Sequence, residues 1–163
     1  MIHFNSIKWK NFLSTGNAWT EVKLDQSPST LVVGENGSGK STMLDALTFA
    51  LFNKPFRSVS KPQLINTING KNCVVEINFN IGSKNYSIKR GLQPRIFDIT
   101  INGDMLDKNA NIRDFQKYLE ENILKLNYKS FTQIVMLGSA SFTPFMQLHL
   151  GARREIIEDI LDI

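Results

Sequence analysis

A chain of 163 residues with 42% hydrophobic and 21% charged side chains has the composition of one globular lobe, which excludes a disordered tail and a membrane-embedded chain. Its net charge of +4 and isoelectric point near 9.2 favour acidic partners, nucleic acid among them, without demanding them. The single cysteine, Cys73, rules out a disulfide framework and reads as a small buried side chain. The N-terminus Met1-Ile2-His3-Phe4-Asn5 lacks the pattern of a signal peptide, and no apolar run reaches the length that spans a bilayer. The expected compartment is therefore the cytoplasm, with no membrane partner.

In chain order, Ile2, Phe4, Ile7 and Trp9 precede the turn Ser14-Thr15-Gly16-Asn17, and a second run covers Trp19 to Leu24; together they predict an antiparallel hairpin. Ser29-Thr30-Leu31-Val32-Val33 is a continuous apolar run ending at Gly34, the pattern of a buried strand feeding a glycine turn. Met43, Leu44, Leu47, Phe49, Ala50, Leu51 and Phe52 surround most of a helix, which Asn53-Lys54-Pro55 ends. From Asn72 to Ile101 the period is two, predicting three antiparallel strands with turns at Gly82-Ser83, Gly91 and Asn102-Gly103. Asn111 and Asp114 form a capping arrangement ahead of Phe115, Leu119 and Ile123 on an amphipathic helix. Phe131 to Leu137 returns to strand character, Gly138 to Leu148 reads as loop, and Gly151 opens a helix carrying Ile156, Ile157, Ile160, Leu161 and Ile163.

The chemistry lies in Gly34-Glu35-Asn36-Gly37-Ser38-Gly39-Lys40-Ser41. Glycines let successive N–H groups and the following helix N-terminus converge on one anion-sized hollow. Lys40 would reach the outer phosphates and Ser41 would ligate magnesium, so the motif implies a nucleoside triphosphate; contacts to phosphates leave the base open. Hydrolysis also needs an acid at the end of an apolar strand. Ile134-Val135-Met136-Leu137 ends in Gly138, Asp98 lies inside an alternating strand, and Glu155, Glu158 and Asp159 fall on the last helix, so no acid fits and the chain carries half of an active site.

Lys10-Asn11-Phe12, the span Gly34 to Thr42, and Leu44-Asp45-Ala46 resemble the SMC and SbcC class of ABC-type ATPase heads. Lys54-Pro55-Phe56-Arg57, Gln63-Leu64-Ile65-Asn66 and Thr143-Pro144-Phe145-Met146 are similar to a T-even phage branch of that class. The resemblance implies an α/β fold: a P-loop NTPase of ABC-head type, here its N-terminal lobe with an additional antiparallel β layer. Residues 1–150 would form the lobe and 151–163 the start of a helix leading into a coiled coil. It also implies ATP and Mg2+ as cofactors, with Asn36, Gly37, Ser38, Gly39, Lys40, Ser41 and Thr42 binding nucleotide. Lys40 and Gln133 would be catalytic, and Ser41 and Gln133 would sit at the metal.

The partners implied are a second lobe of the same head, a second head in a homodimer, an SbcD-type nuclease subunit and double-stranded DNA. The acidic strand, the signature that completes the opposing site and the switch histidine belong to the second lobe, so neither His3 nor His149 takes that role. Leu13 stands where many cellular relatives carry arginine. Lys54, Arg57 and Lys61, with Lys8 and Lys10 as possible neighbours, form the candidate DNA contact, and Arg153 and Arg154 read as surface charges. Two other readings stay open: a complete small P-loop enzyme such as a nucleotide kinase, and an ATP-binding scaffold whose turnover is dispensable.

Overall fold

The computed structural model describes residues 1–106, 112–136 and 145–161, in two compact units, Met1–Asp107 and Lys108–Ile163. Among the described residues no helix is long and apolar enough to cross a membrane.

The first unit is built on a six-stranded antiparallel sheet, with β1 at Ile2–Lys10, β2 at Thr20–Lys23, β3 at Cys73–Ile81, β4 at Lys84–Leu92, β5 at Ile96–Ile101 and β6 at Asp104–Met105. Its spatial order is β2-β1-β3-β4-β5-β6. The predicted hairpin is β1 with β2, in register from Ser6 opposite Lys23 to Trp9 opposite Thr20. Period-two patterning fixes the register, since a one-residue slip would turn every buried side chain outward. Ile7 faces Ile77, Ile77 faces Ile88 and Ile88 faces Ile99, so one row of fully buried isoleucines crosses four strands. Helix α1, Thr42–Phe52, covers that face, with Ala46, Phe49, Ala50 and Leu51 fully buried. The all-round apolar pattern read in the sequence is satisfied in this way. Asn53, left-handed at φ 58°, ends α1 by donating its N–H to Phe49 O at 2.9 Å. Arg90 enters the apolar layer by donating Nε–H to Ala50 O at 2.9 Å and stacking on Phe97.

Two readings of this unit are corrected. Ser29–Val33 forms no strand; Leu31 and Val33 are 86% and 78% exposed, and no described residue pairs with the run. A central parallel strand needs neighbours on both edges, and the sheet edges here are β2 and β6. Gly91 is not a turn but an internal residue of β4, where a Cβ would lie 3.0 Å from Cys73 O and 3.3 Å from Ile96. The turn falls at Gln93-Pro94-Arg95, so the glycine marks close packing, the other reason for glycine in a strand.

In the second unit α2 runs Ile112–Tyr118 and continues as one π-type turn, Leu119–Leu124. The cap proposed at Asn111 and Asp114 lies outside the described side chains, as does the loop read from Gly138 to Leu148 as far as residue 144; its remainder holds a 3₁₀ turn at Phe145–Gln147. Within the run read as strand from Phe131 to Leu137, Phe131–Ile134 is helix instead: α3 spans Tyr128–Ile134, and Asn127 caps it by accepting the Ser130 N–H at 2.9 Å. Phe, Thr, Ile and Val raise strand propensity here, but capping and burial of Ser130 and Phe131 prevail. The final helix α4, Leu150–Leu161, packs on α3 and buries Ala152 and Ile156. Lys129 pairs with Glu155, and Ile157 and Leu161 stay 44% and 59% exposed. Ile160 and Ile163 fall outside the described side chains.

Candidate nucleotide site

Residues 34–42 form the turn that the motif predicts. Gly37 and Gly39 stand at φ +88° and +94°, values that a side chain makes costly. At Gly34 a Cβ would lie 2.5 Å from Ser38 Oγ, a contact that a turn of the Ser38 side chain could relieve. Lys40 lies across the loop, its Nζ donating to Gly34 O at 2.6 Å and Glu35 O at 2.7 Å. Its ammonium is thus held at the hollow by neutral carbonyls, which an anionic phosphate would replace with an ion-paired hydrogen bond. Ser41 is the N-cap of α1, yet its hydroxyl makes no capping hydrogen bond. That leaves the oxygen available to a hard cation, and Thr42 is tucked beneath at 3% exposure. A triphosphate and its magnesium therefore fit these residues.

The loop borders a cavity of about 530 Å³. Asn36, Gly37, Gly39, Lys40, Ser41 and Thr42 form its phosphate side, and Leu13, Ser14, Gln63, Ile65 and Thr67 lie around the remainder, together with Arg57. Sequence reasoning missed this second wall; its signal was the motif Lys10-Asn11-Phe12 and the phrase Gln63-Leu64-Ile65-Asn66, which carried the resemblance without a role.

Arg57 is paired with Asp45, while its side chain remains 48% exposed. Its Nε donates to Asp45 Oδ2 at 2.6 Å, its Nη2 lies 2.5 Å from the same oxygen, and its backbone N–H donates to Asp45 Oδ1 at 2.9 Å. Asp45, in the first turn of α1, is fully buried and committed to this pair. The acid in the first turn of the helix that follows the loop is thus used for structure.

Lys61 opens the 3₁₀ turn Lys61–Leu64, which Ser60 and Gln63 close as a capping box. Burial, and then the positive charges of Arg95, Arg90 and Lys54, hold the Lys61 ammonium below its ordinary pKa. A cavity of about 420 Å³ runs beside it, lined by Asn53, Lys61, Ile65, Leu92, Gln93 and Arg95. Arg95 joins this basic group from the β4–β5 turn, which the misplaced turn at Gly91 concealed. Lys8 pairs with Glu76 at 3.0 Å, and Lys8 and Lys10 both lie over the Trp19 ring, at 5.2 and 5.1 Å. In the second unit, Gln133 lies in the last turn of α3, not at a strand end; its Oε1 is buried and accepts no hydrogen bond among the described residues. Arg154 pairs with Glu158 on the surface of α4 at 2.7 Å.

A glycine loop that can cradle phosphates, the buried helix it opens and the antiparallel sheet layered on that helix define the N-terminal lobe of an ABC-type P-loop ATPase head. The chain belongs to the AAA domain family, whose model matches residues 6–163. It is 48% identical over 159 residues to exonuclease subunit 2 of Enterobacteria phage T4, a match covering 98% of this chain and 28% of that protein. The DNA double-strand break repair Rad50 ATPase of Thermoplasma volcanium is 26% identical over 163 residues, covering 96% of this chain and 17% of the relative. The chain thus spans little more than a quarter of the length of its phage relative. Among solved structures, a chain from work on ATP-driven dimerization and DNA-stimulated activation of SMC ATPases superimposes with a TM-score of 0.64 at 23% identity. That match covers 97% of this chain and 99% of that one, and it supports the same fold.

Proposed function

We propose that this chain is the ATP-binding half of a DNA repair and recombination ATPase head that dimerises on ATP, binds double-stranded DNA and regulates an SbcD-type nuclease. The observation that carries this is an asymmetric site: the phosphate cradle is formed, whereas Asp45, in the first turn of the helix that the loop opens, is buried and held by Arg57, and Glu35, within the loop, is exposed and ends no strand. Magnesium would be held by Ser41 and the phosphates, and the resemblance alone assigns Gln133 to the metal and the attacking water. When bound, the ion would neutralise charge developing on the transferred phosphoryl group. Lys40 would leave its two carbonyls for the outer phosphates. The missing acid would come from a second lobe, and the exposed run Leu31-Val32-Val33 would supply that lobe with a strand edge.

Relatives named as a phage exonuclease subunit and as double-strand break repair ATPases support the DNA reading. The small-kinase alternative needs an acid at the end of a strand beside the metal; Asp45 is committed to Arg57, and Glu35 lies in the loop itself, outside any strand.

The test is to purify the chain alone and mixed with the C-terminal segment of the T4 relative, then measure MgATP binding and phosphate release. The chain alone should bind MgATP through Lys40 yet release phosphate far below about one per second, with turnover arising in the mixture. Enzyme-like turnover by the chain alone would overturn the half-site reading.

A further inference from the structure

The second wall of the nucleotide cavity is held by a network centred on a residue whose hydrogen bonds all go to residues outside the phosphate loop. Asn11 is 1% exposed and left-handed, at φ 50°. All of its polar groups are engaged. Its Nδ2 donates to Asn17 Oδ1 at 2.9 Å and to Asn72 O at 3.2 Å, and its Oδ1 accepts from Asn69 Nδ2 at 2.7 Å. Its backbone N–H donates to Gly16 O at 2.8 Å, and its carbonyl accepts from Asn66 N at 2.9 Å. Asn66, 6% exposed, completes the tie: its Nδ2 donates to Leu13 O at 3.1 Å, and its Oδ1 accepts the N–H groups of Ile68 and Asn69.

The consequence is local and geometric. Leu13, itself at φ 54°, donates its N–H to Leu64 O at 2.7 Å, and Phe12 bridges Ile65. Two loops distant in sequence are thereby clamped edge to edge. Leu13 and Ser14 come from one, Ile65 and Thr67 from the other, and all four line the cavity opposite residues 36–42. These four residues contribute two aliphatic side chains and two hydroxyls, with Gln63 and the Asp45-paired Arg57 also lining the cavity. Aliphatic groups suit the faces of a base and hydroxyls suit a ribose, whereas phosphates are served by the loop.

We propose that Asn11 is a positioning residue for the nucleoside half of the ligand. By clamping the loops that carry Leu13, Ser14, Ile65 and Thr67, it sets how well a base and ribose are held, independently of the phosphate cradle. This rests on the reading of residues 34–42 as a nucleotide site. An asparagine is required because it tolerates a left-handed backbone and offers both a donor and an acceptor from one buried group.

Calorimetric titration with two probes separates the halves of the site: MgATP, which would use both walls, and magnesium tripolyphosphate, which has no nucleoside. Asn11→Ala should raise the Kd for MgATP about tenfold and leave that for tripolyphosphate within about twofold. Asn69→Ala removes only the 2.7 Å contact to Asn11 from an exposed position and should act in the same direction by about threefold. It decides the matter should Asn11→Ala fail to fold. Equal weakening of both ligands by the folded variants would mean a general loosening and would overturn the proposal, as would no change in either. Lys40→Ala is the control for the underlying reading: it should weaken both probes, and if it weakens neither, the nucleotide site itself is misplaced.

Discussion

The Asp45–Arg57 pair can be cut from either side, and the two cuts leave different charges behind. In Arg57→Ala the Asp45 carboxylate, 0% exposed, keeps only the backbone N–H of position 57 at 2.9 Å and loses the Nε donor at 2.6 Å and the Nη2 contact at 2.5 Å. A buried charge deprived of its partner costs about 3–5 kcal/mol. In Asp45→Ala the charge left over is the guanidinium, whose side chain is already 48% exposed. Water can resolvate it, so the loss should be nearer 1–2 kcal/mol, roughly that of one charge-assisted hydrogen bond. With a urea m-value of about 2 kcal/mol/M, the unfolding midpoint should fall by about 1.5–2.5 M for Arg57→Ala and about 0.5–1 M for Asp45→Ala. The fluorescence of the buried Trp9 reports the transition, and an unchanged slope confirms that stability alone has moved. A surface charge reserved for DNA would change stability by no more than about 0.5 kcal/mol on removal. That outcome for Arg57→Ala, or the reverse ranking of the two variants, would refute the argument from burial.

Gly37→Ala meets no atom within 4 Å, so its penalty is purely torsional at φ +88°; it should cost about 1–2 kcal/mol and weaken MgATP binding on calorimetry, and unchanged affinity would mean that the loop geometry does not matter. Cys73 is fully buried and its thiol is pushed up to about 12 by desolvation. It should therefore stay unreactive toward a chromogenic disulfide at pH 8 until urea unfolds the chain, and prompt reaction under native conditions would contradict the packing. Replacing Lys54 and Lys61 with glutamine should lower the slope of log affinity for duplex DNA against log salt by up to about two units. An unaltered slope in a fluorescence-anisotropy titration would remove this basic group from the DNA interface.

What could be read from the sequence was whatever depends on neighbours along the chain. The glycine loop, α1 and strands β3 to β5 followed from spacing, because a period of two or an all-round apolar helix needs only a nearby sheet or core to be satisfied. Ile7, Ile77, Ile88 and Ile99 fall into one buried row for that reason. The role of Arg57 was not legible. Its charge and its place among Lys54 and Lys61 suggested a solvent-facing patch, and only the fold shows that Asp45, twelve residues earlier, turns it toward the nucleotide cavity. The Asn11 network was equally hidden, since its partners at positions 17, 66, 69 and 72 share no period with it.

The two corrected strands went wrong for opposite physical reasons, and the contrast says where the sequence signal lives. At Phe131 to Leu137 the composition favours a strand, but Asn127 supplies a cap that fixes the first turn of α3, and local hydrogen bonding outweighs a propensity worth tenths of a kcal/mol per residue. At Ser29–Val33 nothing local opposes the strand; what is lacking among the described residues is a partner, because a parallel strand is held by its two neighbours rather than by its own residues. Leu31 and Val33 therefore remain in water, at a cost of roughly 1.5–3 kcal/mol for each side chain that burial would recover. The run also leads directly into Gly34 and the phosphate loop. A partner strand that covered it would fix the entry to the loop at the same moment, which would couple assembly of the head to the geometry of the phosphate cradle.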